Sequence, residues 1–220
     1  MKEMNILLIT PLNVPFAEMV KWKEAGMQAG DIKRKLDPKY PVGLLNIGGY
    51  LKANVPGVEV RIVDYNTVAP RHQAPDLHWL LLYGLQDYWN LYDDFYPDIV
   101  GISALFSSNY TDIGGMIAFF RERYPKSIIV TGGHLASACY KEWLEEFPGL
   151  DAVCYGEGEI PMMWLAQAIA NGLDTEITKS LRARIELYAN PSWQTRHTLG
   201  TPENSLTDLD TIPPYDLSML

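Results

Sequence analysis

Three apolar runs in the middle of the chain, PDIVGIS from Pro97, SIIVTGG from Ser127 and DAVCYGEG from Asp151, each end in small residues and lead into a helix-forming stretch. A short apolar run that stops at Ser103, at Gly132-Gly133 or at Gly156-Glu157-Gly158 reads as a buried parallel strand, with its carboxyl end on a loop where a ligand can approach the backbone closely. In open α/β sheets the ligand lies in the crevice outside the carboxyl ends of the strands, so these three ends define a candidate binding edge before any chemistry is assigned.

Earlier in the chain, NILLIT (5–10) reads as the central first strand and VEVRIVD (58–64) as the second. Between them YPVGLLNIGGYLKAN (40–54) carries a helical apolar stripe at Leu44, Ile47, Tyr50 and Leu51, with Gly43, Gly48 and Gly49 expected to pack closely against the sheet. Residues 11–41 form an insertion far longer than the roughly 2–6 residues usual at this place. Its charged middle reads as a short mobile helix, serving as a lid, a contact surface or a plain surface excursion. A Trp-, Tyr- and Leu-rich helix is expected from His78 to Tyr96, and a helix after the third strand is expected to be capped by Ser108 or Asn109. The expected fold is a flavodoxin-like, Rossmann-type α/β domain over 1–171, with five parallel strands in the order 2-1-3-4-5. Residues 172–220 read as a hairpin turned at Asn190-Pro191 and a Pro-rich linker leading into a further domain.

With 220 residues and 47% hydrophobic content, the chain can bury one full core and an appendage. A net charge of −9 without any basic stripe excludes a nucleic-acid or anionic-membrane surface. No apolar run reaches the roughly 20 residues of a bilayer span, and no signal pattern opens the chain, so it reads as cytoplasmic. The two cysteines, Cys139 and Cys154, lack metal-ligand spacing and read as packing residues.

Several ligand classes are excluded at the edge. TPLNVP after the first strand offers no phosphate nest for a flavin mononucleotide, a phosphoacceptor receiver needs an Asp where Ser103 stands, and Walker A is absent.

The pairing of Ser103-Ala104-Leu105 with Gly132-Gly133 resembles the cofactor edge of cobalamin-binding Rossmann domains. The order YPVGLLNIGGYL, VRIVDYN, PDIVGISAL, IIVTGGHLAS, DAVCYGEGE and LTDLDTIPPYDL is similar to the variant that precedes the barrel of radical S-adenosylmethionine enzymes. Anaerobic Mg-protoporphyrin monomethyl ester cyclases and various methylases share this layout. The resemblance implies cobalamin bound by this chain at Ser103, Ala104, Leu105, Phe106, Gly132, Gly133, His134, Tyr155, Gly156, Glu157 and Gly158. It also implies a 4Fe-4S cluster and S-adenosylmethionine held by a downstream domain with a C-x-x-x-C-x-x-C triad, so that this chain alone does not catalyse.

Two readings stand for each of these motifs. Gly132-Gly133 either leave a channel for the nucleotide tail or form an ordinary strand-to-helix turn. Ser103 either donates to the displaced base or caps a helix. Glu157 and Glu159 either bind corrin amides or the neighbouring domain, or only complement a helix dipole. The tail phosphate is expected near the helix N-termini at Ser108 or Ser137. The D-x-H-x-x-G motif that supplies an axial histidine is absent, which implies base-off cobalamin without a nitrogen lower ligand. Two other expectations remain: an empty scaffold of the same fold that makes substrate or subunit contacts, and a free-standing corrinoid carrier.

Overall fold

The structure is a computed structural model that describes residues 4–38, 40–88, 95–171, 193–194 and 208–220. Strand β1 (Met4–Thr10) is buried along nearly its whole length, as an apolar run covered on both faces must be. Two helices fill the insertion, α1 (Phe16–Glu24) and α2 (Ala29–Leu36), followed by α3 (Val42–Asn54) and β2 (Val58–Asp64). The chain continues with a single turn α4 (Tyr65–Val68), α5 (Leu77–Tyr88), β3 (Ile99–Ser103), α6 (Tyr110–Arg123) and β4 (Ile128–Gly132). Helix α7 (His134–Glu146), β5 (Ala152–Cys154), α8 (Glu159–Ala170) and a short β6 (Trp193–Gln194) complete the described elements.

The sheet order is β2-β1-β3-β4-β5-β6, with the first five strands parallel, as expected, and β6 antiparallel on the β5 edge. Side chains on a strand alternate between faces, and the alternation divides the core in two. Leu7, Ile9, Val63, Val100, Ile102, Ile129 and Val153 face α1, α2 and α4 to α7. Ile6, Leu8, Val60, Ile62, Ile99, Val130 and Cys154 face α3 and α8.

Several local expectations are corrected. The insertion holds two helices and is no plain surface excursion: Met19 of α1 and Ile32 and Leu36 of α2 are fully buried in the first of these cores. Its first helix is anchored by the Asp112 carboxylate, which accepts from the Phe16 N–H at 2.6 Å, and burial raises the pKa of that carboxyl. Asn109 occupies the N-cap position of α6, as one of the two expected caps, but its side chain makes no cap hydrogen bond: its amide donates to the Leu12 carbonyl, and the Ser108 hydroxyl donates to Asn109 Oδ1. Gly48 and Gly49 pack against the C-terminal segment more closely than against the sheet. A Cβ at Gly48 would lie 2.8 Å from Met219 Sδ and 3.3 Å from Val60 Cγ1, and one at Gly49 3.2 Å from Pro213 Cγ.

Residues 208–220 therefore lie along α3, with Met219 buried and Lys52 paired with Asp216. The hairpin expected at Asn190-Pro191 lies outside the described residues, as does the 89–94 part of the Trp-, Tyr- and Leu-rich stretch. No helix among the described residues is long and apolar enough to cross a membrane.

Candidate functional site

A cavity of about 590 Å³ opens at the carboxyl edge of the sheet, on the face covered by α3 and α8. Strand register builds its floor in two rows. The deep row is Leu8, Gly101 and Val130, cross-strand neighbours in β1, β3 and β4. Two residues further along, on the same face, the rim row is Thr10, Ser103, Gly132 and Cys154.

Glycine is required in the deep row because a Cβ at Gly101 would lie 2.9 Å from Leu8 Cδ2 and 3.8 Å from Met162 Cε. Leu44 and Ile47 of α3 and Met162 of α8 form the roof, and Trp193 of β6 lines the wall while donating its Nε1 to the Pro161 carbonyl at 3.3 Å. Helices α3 and α8 close on each other at Gly158, where a Cβ would lie 2.7 Å from Ile47 Cδ1.

The two glycines after β4 serve different ends. Gly133 has φ +108°, and a Cβ there would lie 2.7 Å from the Ala104 carbonyl oxygen, so backbone conformation and tight packing on the β3 loop both demand it. That carbonyl accepts from Leu135 N–H at 3.1 Å. Gly132 has ordinary φ, and a Cβ there would lie 3.3 Å from Cys154 Cβ, at the rim row, where its absence keeps the cavity open.

Ser103, Leu105, Phe106, Gly132, Gly133, Gly156, Glu157 and Gly158 all line the cavity, Gly156 with φ +89°. Ala104, His134 and Tyr155 do not. Ala104 is fully buried in the opposite core, His134 is exposed at the start of α7, and the Tyr155 ring packs edge-on against Tyr140. The Ser137 hydroxyl, near the expected phosphate position, accepts from Gly156 N–H at 3.2 Å.

Sequence reasoning missed the loop after β1 and its supports. The Asn66 amide donates to the Pro11 carbonyl at 2.9 Å and to Asp64 Oδ1 at 2.8 Å, and its Oδ1 accepts from Asn13 N–H at 2.7 Å. Asn13 in turn donates to the Leu36 carbonyl at 2.7 Å, which ties the end of α2 to the cavity wall. The Asp64 carboxylate is held by two Asn66 donors, yet burial still raises its pKa. The end of the insertion, with Asp37, Tyr40 and Pro41, thus borders the cavity, a role that no motif in the sequence signalled.

Acidic residues line the cavity at Asp37, Glu157 and Glu159, and no Lys, Arg or His is among its described lining residues. The Glu159 pKa is raised first by burial and further by the Glu157 charge, against the opposing pull of N–H groups at the start of α8. Burial, with Glu159 adding to it, pushes the Cys154 thiol up to about 12, so it stays a neutral thiol that donates to the Glu157 carbonyl at 3.4 Å. No group of His, Cys, Asp and Glu among the described residues is arranged to hold a metal ion. A cavity of this volume is the size of a small-ligand site, and its lining suits an uncharged aromatic group better than a phosphate dianion.

Fold and site together define a flavodoxin-like domain with a cavity at the carboxyl edge of its parallel sheet. The B12 binding domain family model matches residues 38–166, and the chain belongs to that family. A search of characterised proteins finds the cytidylyl-2-hydroxyethylphosphonate methyltransferase of Streptomyces wedmorensis, 32% identical over 143 residues. The matched stretch is 63% of this chain and 26% of that relative, so the chain spans about a quarter of the relative's length.

The residues present fit the nucleotide tail of cobalamin. Gly101 and Gly132, one in each floor row, line the cavity with no side chain of their own. Beside them, Thr10 Oγ1 is buried without a hydrogen-bond partner among the described residues, a donor that protein interiors seldom leave unused.

Proposed function

We propose that this chain is the cobalamin-holding domain of a radical S-adenosylmethionine enzyme of the methyltransferase type. The carrying observation is the glycine-floored cavity between α3, α8 and the strand ends, apolar at depth and without a described cation in its lining. Cobalamin, when bound, supplies a cobalt centre that accepts and delivers a methyl group.

The chain's own residues bind and orient it. The deep row of Leu8, Gly101 and Val130 takes the aromatic base of the tail, while Thr10 and Ser103 at the rim offer hydroxyls to its polar edge. Leu105, Phe106 and Tyr40, all exposed at the mouth, give the corrin apolar surface to cover. Glu157 and Glu159 accept from corrin amides.

The methyltransferase assignment draws on the name of the Streptomyces relative and is favoured over the cyclase-like alternative on that ground. The 4Fe-4S cluster and S-adenosylmethionine belong to a partner domain that follows this one.

The test is retention of hydroxocobalamin after desalting, read from the visible spectrum. The parent chain is expected to keep close to one corrin per chain, and Gly132→Leu, with its fold intact by circular dichroism, to keep none. A folded parent chain that loses all corrin absorbance would establish the empty-scaffold reading instead.

A further inference from the structure

We infer, on the strength of the cobalamin reading above, that the cavity discriminates between cobamides by their lower base, accepting benzimidazole tails and rejecting purine tails. The two bases are bicycles of nearly the same outline, so shape alone does not separate them. What separates them is where hydrogen-bonding groups stand in the slot.

The floor of the deep row is Leu8, Gly101 and Val130, roofed by Leu44, Ile47 and Met162, and none of these side chains donates or accepts a conventional hydrogen bond. Strand backbone at this level is spent on the parallel ladder, in which Leu8 pairs with Gly101 and Gly101 with Val130. Along these two rows hydroxyls stand at the rim, on Thr10 and Ser103; Thr131, which also lines the cavity, donates its hydroxyl to the Ile102 carbonyl at 2.9 Å, Tyr40 stands at the mouth, and Thr10 Oγ1 is buried with no partner among the described residues.

A dimethylbenzimidazole entering this slot puts two methyl groups into the apolar row and leaves a ring nitrogen near the rim. An adenine puts its exocyclic amine and a ring nitrogen into that same row, away from water and from any acceptor or donor. Leaving even one such group unpaired weakens binding by about tenfold or more. The site thereby favours a tail whose far edge is hydrocarbon.

The experiment is a titration of the folded chain with cobalamin, with adenylcobamide and with cobinamide, which lacks the tail, following the corrin bands. Dissociation constants are expected to rise from cobalamin to adenylcobamide by about tenfold or more. Adenylcobamide is expected to bind no better than cobinamide within a few-fold, since its tail gains little. Equal affinity for cobalamin and adenylcobamide overturns the inference while leaving the cobalamin reading intact. Retention of neither cobamide overturns both.

A gain-of-partner variant sharpens the test: Met162→Gln places an amide over the Gly101 floor and is expected to narrow the ratio toward one. Val130→Thr, nearly isosteric and in the same row, serves should the first variant not fold. A folded variant of either kind with an unchanged ratio also counts against the assignment.

Discussion

The two faces of the same sheet are built from the same kinds of strand residues, yet one is sealed and the other is hollow at one end. On the sealed face, Leu7, Ile9, Val100, Ile102 and Ile129 meet six helices, including the two from the insertion, and Phe120 and Trp143 close the remaining space. Among the described residues the other face has α3, α8 and the C-terminal segment, and near the strand ends its floor is thinned to Gly101 and Gly132. Close packing is therefore not a property of the sheet as a whole. It is withheld where small residues recur at alternate positions on neighbouring strands, and that pattern makes room for a ligand.

Adjacent residues of β1 probe this difference most strongly. Leu7 and Leu8 are both buried, but Leu7 faces the sealed core and Leu8 borders the cavity. Leu7→Ala leaves a new void in packed surroundings and is expected to cost about 4–5 kcal/mol. Leu8→Ala enlarges space that already exists and is expected to cost about 2–3 kcal/mol, nearer the plain transfer cost of the lost methyl groups. Urea unfolding of the two variants measures the gap, and equal losses would mean that the hollow face is as tightly packed as the sealed one.

A smaller effect separates the faces by charge. Burial raises the folded-state pKa of Glu159 above its unfolded value, so the group favours the folded state when protonated. That contribution is fully present below the unfolded pKa and is lost as pH rises through the folded one. Glu159→Gln is accordingly expected to unfold at a higher temperature than the parent near pH 8 and to converge with it near pH 4. Thermal melts across that range decide the sign, and a variant less stable at pH 8 would show that the carboxylate gains more from the α8 N–H groups than burial costs it.

The sheet and its binding edge were legible because both follow from short-range pattern: apolar runs mark buried strands, and small residues at their ends mark the crevice. The division of labour between Gly132 and Gly133 was not legible, because it depends on φ and on the neighbouring Ala104 and Cys154, which sequence spacing does not show. Period-2 alternation does put Thr10 and Ser103 on one face with Leu8 and Gly101, a signal present in the strands themselves rather than at their ends.

The burial of the insertion was not legible for a different reason. Its charged surface residues outnumber the few apolar ones, and only the fold shows Met19, Ile32 and Leu36 converging on one core. Asn13, Asn66 and Asn109 hold the loop after β1 through contacts 53 to 97 residues apart, beyond the reach of any local motif. Trp193 carries no signal at all until β6 pairs with β5.

The central claim is that the tail base of cobalamin sits in the hollow face, away from cobalt, and that no imidazole takes its place. His134, the histidine nearest the glycine pair in sequence, is exposed and does not line the cavity. Electron paramagnetic resonance of bound cob(II)alamin tests this most directly, because an axial nitrogen splits each cobalt line into a triplet. The predicted spectrum is that of base-off cob(II)alamin with unsplit cobalt lines. Triplet splitting in the bound state would mean that a nitrogen still sits beneath the metal and would contradict the account.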